Sequence, residues 1–437
     1  MLWTLLLACS RPHPTLVLIT LDTTRADALG VYGGPPTPRL DALADQGVRF
    51  EMALTHAPAT ASAHASLFTG LDPHGHRVAR NGFPLDPGLE TVAERLFQVG
   101  YETIAVVGSS ALGWGSGMDQ GFGTFDAEFA IDRGKRYEDS ADSVVARALA
   151  RVDARSPARP LFLWVHFFDA HAPYSAPAAL AAPYVAPGYV PTLSMEGDGP
   201  SSPLVRGIAA GQAPKEDLDF YRGQYHGEVA FVDQQVGVLL DGLAARGLLD
   251  GARVVVAGDH GELLFEERLR PVGHGPDVDL VTSRVPLIVS GAGQAGVVQQ
   301  AVALSDLAPT LLGLAGLEPK LGEGRDLGPA LGGGELPERA LFLEATRPVR
   351  DRGEGWNNAH TERGVAMNGE LLIAAPWGGG DPRLYRLDPA QTPLEDEGAM
   401  APMLLALTRW DAAAPPAQRR GEDPAMREGL RALGYEE

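Results

Sequence analysis

Short apolar runs recur through the first two thirds of the chain, each closing on polar or turn-forming residues. Thr15–Leu21, Thr103–Gly108, Leu161–Phe168, Arg253–Ala257 and Val285–Ser290 read as buried strands. Between several of them the apolar spacing becomes helical, in Leu89–Val99, Asp139–Val152 and Gly227–Leu243, and a further apolar helix lies around Leu307–Leu317. Strands alternating with helices predict an α/β fold with a parallel sheet covered on both faces. Tyr184–Pro214 is different, rich in Pro, Gly, Ser and Ala without a period, and reads as a long loop serving as a lid or binding element. After a Gly- and Pro-rich stretch, Gly322–Pro337, short strands at Arg339–Leu343, Gly364–Met367, Glu370–Ala375 and Leu384–Leu387 and a terminal helix at Ala425–Leu433 make a small α+β appendage. The division expected is a short apolar N-terminus over 1–14, a main domain over 15–321 and a C-terminal subdomain over 322–437.

Two of the strands end on residues with chemistry. Asp22 closes TLVLITLD, and Asp259 and His260 follow the apolar run of VVVAGDHGE, at strand carboxyl ends, where open α/β sheets build sites. A carboxylate fixed there can ligate a hard or borderline cation, with a helix cap or turn as the alternative for Asp22. Thr60, in APATASAHASLFTG, precedes a helix expected over Ser62–Thr69. An alcohol at a helix start meets free amides and the positive end of the dipole, which suits an attacking alkoxide and an anionic substrate; a plain N-cap is the simpler role. Asp22, Asp259, His260 and the Thr60 oxygen together make a four-ligand set of the kind zinc or manganese accepts.

Other candidates surround this set. His274 follows in VGHGPD, and WVHFFDAHAPY carries His166, Asp169 and His171. His166 alternates within its strand and reads as a core residue, whereas His171, past the strand, can meet substrate or a second metal. His64 lies one helical turn after Thr60 and could face the same pocket as a substrate contact. Asn81, in ARNG, could donate to a substrate oxygen or serve turn chemistry. Glu228 and Asp233 read as a solvated or capping pair, and Asp169 and Asp233 are the candidates for completing a second metal site.

Composition narrows the function classes. With 437 residues and 45% hydrophobic content, the chain can bury one large core and a smaller one. A formal charge of −20 leaves no basic footprint for nucleic acid and would repel polyanions unless a local metal or Arg cluster reversed the field, which a bound divalent cation could do. The single cysteine, Cys9, cannot form an intrachain disulfide. It closes Leu6-Leu7-Ala8-Cys9, which resembles a bacterial lipobox; a lipidated Cys9 would tether a soluble domain to a membrane and place it in the cell envelope, lipid-anchored or periplasmic. A plain apolar tail or misplaced start is the alternative reading.

LITLDTTRAD, THAPATASAHASLFTG with DPHGHRV, HFFDAHAPY, AGDHGE with GHG, VPLIVSG and LSDLAPTLLGLAG, in that order, resemble the sulfatase-like branch of the alkaline phosphatase superfamily. The resemblance covers nearly the whole chain from Thr15. It implies a three-layer α/β/α sandwich with a smaller C-terminal α+β domain, metal ligation by Asp22, Asp259 and His260, Thr60 as nucleophile, and contacts from His171 and His274 to the transferred group or a second metal. The cofactor implied is a divalent metal, Zn, Mn or Ca, as one or two ions. The chain departs from the formylglycine signature C/S-x-P-S-R, whose positions here read Thr60, Ala61, Ser62, Ala63 and His64, and the second acid of the usual Asp-Asp pair is Thr23. Threonine nucleophiles in the superfamily belong to enzymes acting on phosphorus esters. The reading is therefore a metal-dependent hydrolase or transferase that favours phosphorus over sulfate esters. The alternatives are a sulfuric ester hydrolase without formylglycine and a non-catalytic surface binding protein on the same fold.

Overall fold

The computed structural model describes residues 13–129, 138–195, 202–266, 272–346, 360–374, 380–414 and 428. Its centre is an eight-stranded sheet. The strands are β1 (Leu16–Leu21), β2 (Gly47–Phe50), β3 (Glu102–Val107), β4 (Thr124–Asp126), β5 (Leu161–Phe167), β6 (Arg253–Gly258), β7 (Leu287–Ser290) and β8 (Gly296–Val298). They lie in the order β8-β2-β7-β6-β1-β5-β3-β4. β1 is buried at all six positions because β5 and β6 flank it in parallel and helices cover both faces.

Alternate residues of β1 feed different cores, as a strand's period of two requires. Leu16 and Leu18 pack with α2 (Thr60–Thr69), which follows α1 (Pro38–Asp45) in the chain, and with Trp164. Val17, Ile19 and Leu21 pack with helices Ala141–Ala154 and Lys215–Ala245. The result is the three-layer α/β/α sandwich. The smaller C-terminal unit is a five-stranded antiparallel sheet over Leu341–Leu394 backed by a helix, Glu397–Ala412. Leu341, Leu343 and Ala345 bury against Met52, Leu54 and Val278 of the main domain.

Several elements differ from the sequence reading. The strand expected over Val285–Ser290 breaks at Pro286, which has no N–H to give a ladder. Its second half, β7, runs antiparallel to β6 and β2, so the sheet is mixed rather than wholly parallel. The helix expected from Leu89 begins at Val92, after a capping box made by Thr91 and Glu94. The helix expected from Gly227 starts at Lys215 and runs 31 residues. Gly223 and Gly227 obscured it, since each glycine weakens a helical pattern by about 1 kcal/mol of propensity. Both are required by packing: a Cβ on Gly223 would lie 2.6 Å from the Tyr184 carbonyl oxygen, and one on Gly227 would lie 2.8 Å from Ala176 Cβ. Helix Glu397–Ala412 was not foreseen, and the helix expected over Ala425–Leu433 lies outside the described residues apart from residue 428.

Tyr184–Pro214 is not structureless. It contains helix Pro203–Ala209, and Asp217 at the start of the long helix gathers its first half. The Asp217 carboxylate accepts from the Tyr189 hydroxyl at 2.6 Å, the Thr192 amide at 2.9 Å, the Thr192 hydroxyl at 2.8 Å and the Leu193 amide at 2.9 Å. Burial alone would push this carboxyl up, but these donors, the Tyr189 hydroxyl foremost, outweigh it and hold its pKa below the ordinary range.

Asp217→Asn should therefore lower stability by about 2 kcal/mol near neutral pH, since hydrogen bonds to charged groups contribute about 1.5–3 kcal/mol. The folded pKa is depressed, so the wild-type advantage is present above the unfolded value of about 4 and is lost as pH falls through the folded value. Urea unfolding of both proteins from pH 7 to pH 3 checks this. A gap that does not narrow on acidification would count against the charged clamp.

Candidate functional site

The carboxyl ends of β1 and β6 are adjacent, with Leu21 in register with Gly258. The residues that follow, Asp22 and Asp259, are therefore neighbours. Each is pinned by a continuing backbone bond, Asp22 N–H to the Phe167 carbonyl at 2.9 Å and Asp259 N–H to the Leu21 carbonyl at 3.2 Å. Thr60 is not an N-cap. It is the first residue of α2, after Ala59, whose side chain cannot cap, and the Ala61 amide is satisfied by Asn81 Oδ1 at 2.8 Å. Asn81 thus accepts through its oxygen at the helix start, which leaves its amide nitrogen as the group that would donate to a substrate oxygen.

His260 brings the pieces together. Its Nδ1–H donates to the Gly261 carbonyl at 3.0 Å, which leaves the Nε2 lone pair facing the Thr60 hydroxyl at 3.3 Å. Donor atoms of Asp22, Asp259 and His260 all lie within 4.8 Å of one another. Asp22 and Asp259 are 1% exposed, and Thr60 and His260 are 0% exposed.

The two carboxylates share a pattern. Asp259 Oδ1 accepts from the Thr23 amide at 3.1 Å and the His260 amide at 2.7 Å, and Asp22 Oδ2 accepts from His166 Nε2 at 3.2 Å. The other oxygen of each, Asp22 Oδ1 and Asp259 Oδ2, is buried with no hydrogen-bond partner among the described residues. Two open carboxylate oxygens, one imidazole lone pair and one hydroxyl form a donor set that fits a divalent cation. The electrostatics agree. Desolvation pushes Asp22 up to about 7 and Asp259 well above its ordinary value, and Glu262 is raised to about 7 for the same reason. A cation held between these buried acids would offset their desolvation.

Around this core the structure distributes the remaining candidates. His274 Nδ1 lies 3.2 Å from Glu262 Oε1, and its ring is 4.3 Å from that of His260 and 5.2 Å from that of His171. His171 donates from Nδ1 to the Ala172 carbonyl at 2.7 Å and stacks on Phe168. Both rings are half-buried, whereas the residues beneath them are fully buried. His64 does reach Thr60, but through the backbone: its Nδ1–H donates to the Thr60 carbonyl at 2.8 Å, and its Nε2 accepts from the Thr20 hydroxyl at 3.0 Å. With both nitrogens engaged and no exposed surface, the ring is not placed as a substrate contact. A second three-residue set, His64, His166 and Asp259, also clusters, but it shares Asp259 and includes this committed His64.

Asp169 and Asp233 are not brought to the site. Asp169 Oδ1 accepts from the Ala141 amide at a helix start, and Asp233 accepts from the Arg39 and Leu40 amides at another, helix Pro38–Asp45. Glu228 accepts from the Ser175 amide at 2.5 Å; like Asp233 it is buried rather than solvated. Glu262, Thr20 and the Asp22 contact of His166 were missed. Glu262 stands three residues after Asp259 in the same motif, a visible signal, whereas the pairing of Thr20 with His166 depends on strand register.

The Sulfatase family model matches residues 14–317. The chain is 25% identical over 349 residues to the uncharacterized sulfatase YidJ of Escherichia coli (strain K12), covering 70% of this chain and 68% of that protein. It is 24% identical to an arylsulfatase of Clostridium perfringens, covering 69% and 75% respectively. Among solved structures, the phosphonate monoester hydrolase of Agrobacterium radiobacter superposes with a TM-score of 0.69 at 23% identity, over 92% of this chain and 95% of that one, a likeness of fold.

The donor pattern makes a direct prediction. Asp259→Asn should abolish high-affinity binding of Mn2+ or Ca2+, because a ligand oxygen is replaced and the like-charge pair is broken. Calorimetric titration with each ion checks it; stoichiometric binding unchanged in the variant would remove Asp259 from the centre.

Proposed function

The chain belongs to the sulfatase family of hydrolases, and on that premise we propose that it is a metal-dependent ester hydrolase or transferase using Thr60 as nucleophile, with phosphorus esters preferred over sulfate esters. The observation that carries this reading is the Thr60 hydroxyl itself: the first residue of a buried helix, 3.3 Å from the free nitrogen of His260 and beside the open oxygens of Asp22 and Asp259. Asp22, Asp259 and His260 would hold the cation, which when bound lowers the pKa of the Thr60 hydroxyl and offsets charge on the ester oxygens.

The chain's own residues do the rest. The ester approaches from the side of the half-buried His171 and His274, where His274, oriented by Glu262, faces the transferred group. The Thr60 oxygen forms a bond to phosphorus as the ester oxygen leaves; Thr60 loses its proton and the leaving oxygen gains one, giving a phosphothreonine and a free alcohol. Water or an acceptor alcohol then takes the phosphoryl group and restores the hydroxyl. The start of α2 contributes its dipole to the anion.

A second reading has a specific observation behind it. The relatives by sequence are named as sulfatases, so a sulfate monoester attacked by Thr60 without formylglycine is the competing substrate class. The membrane tether is a further part of the proposal. Cys9 lies outside the described residues, no helix among those described is long and apolar enough to cross a membrane, and the anchoring proposed here is by lipidation of Cys9.

Side-by-side assay of p-nitrophenyl phosphate, bis(p-nitrophenyl) phosphate, a phenylphosphonate monoester and p-nitrophenyl sulfate tests the chemistry. Thr60→Ala should lose about 10^3-fold or more in turnover, as loss of a nucleophile requires, while retaining cation. Undiminished turnover would sink the nucleophile, and sulfate turnover above that of every phosphorus ester would select the second reading. Cys9→Ala should move the protein from the membrane to the soluble fraction; unchanged fractionation would refute the tether.

A further inference from the structure

Beneath the metal-type ligands lies a buried polar ladder built by three elements. Thr20, in β1, and Asp22, just past its end, point to one face; in the parallel neighbour β5, Trp164 and His166 point to the same face, with Thr20 in register with His166. α2 lies over that face and contributes Thr60 and His64. Trp164 Nε1–H donates to the Thr20 hydroxyl oxygen at 2.9 Å, the Thr20 hydroxyl donates to His64 Nε2 at 3.0 Å, and His64 Nδ1–H donates to the Thr60 carbonyl at 2.8 Å. Beside this chain, His166 Nε2–H donates to Asp22 Oδ2 at 3.2 Å, and the two histidine rings meet edge to face at 5.2 Å.

For a neutral His64 imidazole the directions along the Trp164–Thr20–His64–Thr60 chain follow from chemistry. An indole can only donate and a carbonyl can only accept, so the proton of His64 sits on Nδ1 and the Thr20 hydroxyl must point at Nε2. His64, His166, Thr20 and Trp164 are 0% exposed. Apolar side chains would fill this space without the penalty of burying polar atoms, and His166 Nδ1 is left with no partner among the described residues. The ladder nonetheless terminates on two groups only: the carbonyl of Thr60 and the one oxygen of Asp22 that faces away from the open one.

We propose that His64 and His166 are positioning residues of one buried frame, which fixes the first turn of α2 and the Asp22 carboxylate relative to each other, and that neither touches substrate. This rests on the reading of Asp22, Asp259 and His260 as a cation centre with Thr60 beside it. By holding Oδ2, His166 leaves Oδ1 of Asp22 as the ligand atom and fixes its direction. By holding the Thr60 carbonyl, His64 fixes where the Thr60 hydroxyl starts from. Partners of this kind orient ligands, and their loss typically lowers metal affinity by about 10–100-fold.

The test is calorimetric titration of the full chain with Mn2+, with thermal unfolding of each apo variant measured alongside. His166→Leu should weaken Mn2+ binding by about tenfold or more, whereas His166→Gln, whose amide can still donate to Asp22, should stay within about threefold of wild type. A packing role would not separate these two, and equal Mn2+ affinity in Leu and Gln variants would overturn the proposal. Should His166→Leu fail to fold, His166→Asn, too short to reach Asp22, replaces it in the comparison. Thr20→Val is nearly isosteric and breaks the chain without touching Thr60 or Asp22. On the ester that wild type turns over fastest it should lower kcat with KM and Mn2+ affinity unchanged, and wild-type kcat would remove His64 from the frame. Asp259→Asn separates the two levels. Mn2+ binding lost there but indifferent to His166 condemns the frame alone, whereas wild-type protein that binds no Mn2+ condemns the cation centre and the frame with it.

Discussion

Two carboxylates, Asp22 and Asp259, are fixed side by side at the carboxyl ends of adjacent parallel strands, with 1% of their surface exposed, and among the described residues no arginine or lysine pairs with their open oxygens, the nearest basic groups to Asp259 Oδ2 being the His260 and His64 rings at 3.5 and 3.9 Å. Burial strips both of hydration, and a nearby like charge, Asp22 for Asp259 and Glu262 for Asp22, adds to it, so both carboxyls are raised above their ordinary pKa. A fold that keeps such a pair needs a countercharge there, and the geometry around it follows from that requirement. Backbone amides of Thr23 and His260 and the imidazole of His166 hold one oxygen of each acid; the other oxygen of each, the His260 nitrogen and the Thr60 hydroxyl converge on the remaining space.

Thr23 shows how tightly this is built. It stands at φ 48°, in the left-handed region that a β-branched residue rarely adopts, and its amide thereby reaches Asp259. The Tyr225 hydroxyl donates to the Thr23 carbonyl at 3.0 Å and accepts from the Arg25 amide at 3.0 Å, so the long helix clamps the turn from outside. The glycines at 223 and 227 that let this helix lie close to residues 176–185 therefore support the site at a distance.

Much of this was legible in the sequence because apolar runs ending in Asp22 and in Asp259-His260 carry both the strand and the ligand in one stretch. A sheet covered on both faces was likewise readable from alternating periods, and the family resemblance implied the three-layer sandwich. What escaped depends on pairing between distant segments. The antiparallel β7 follows from where Pro286 interrupts a strand, and the roles of Asn81 and Asp169 at helix starts follow from which start each meets, whereas a capping role was among the readings of Asp233. His166 read as a core residue because its spacing is that of a strand; its contact with Asp22 depends on β1 and β5 lying in register. His64 was placed correctly on the helix but its ring turns inward to Thr20 and the Thr60 carbonyl, which one-turn spacing does not determine.

In the proposed mechanism Thr60 carries the transferred group covalently. Rapid acid quench of the protein during turnover of bis(p-nitrophenyl) phosphate, followed by peptide mass spectrometry, reads this out. The expected result is an aryl-phosphoryl adduct on the Thr60 side chain that forms and decays at rates compatible with turnover. Turnover with an unmodified Thr60 peptide at every quench time, or an adduct on another side chain, would contradict it.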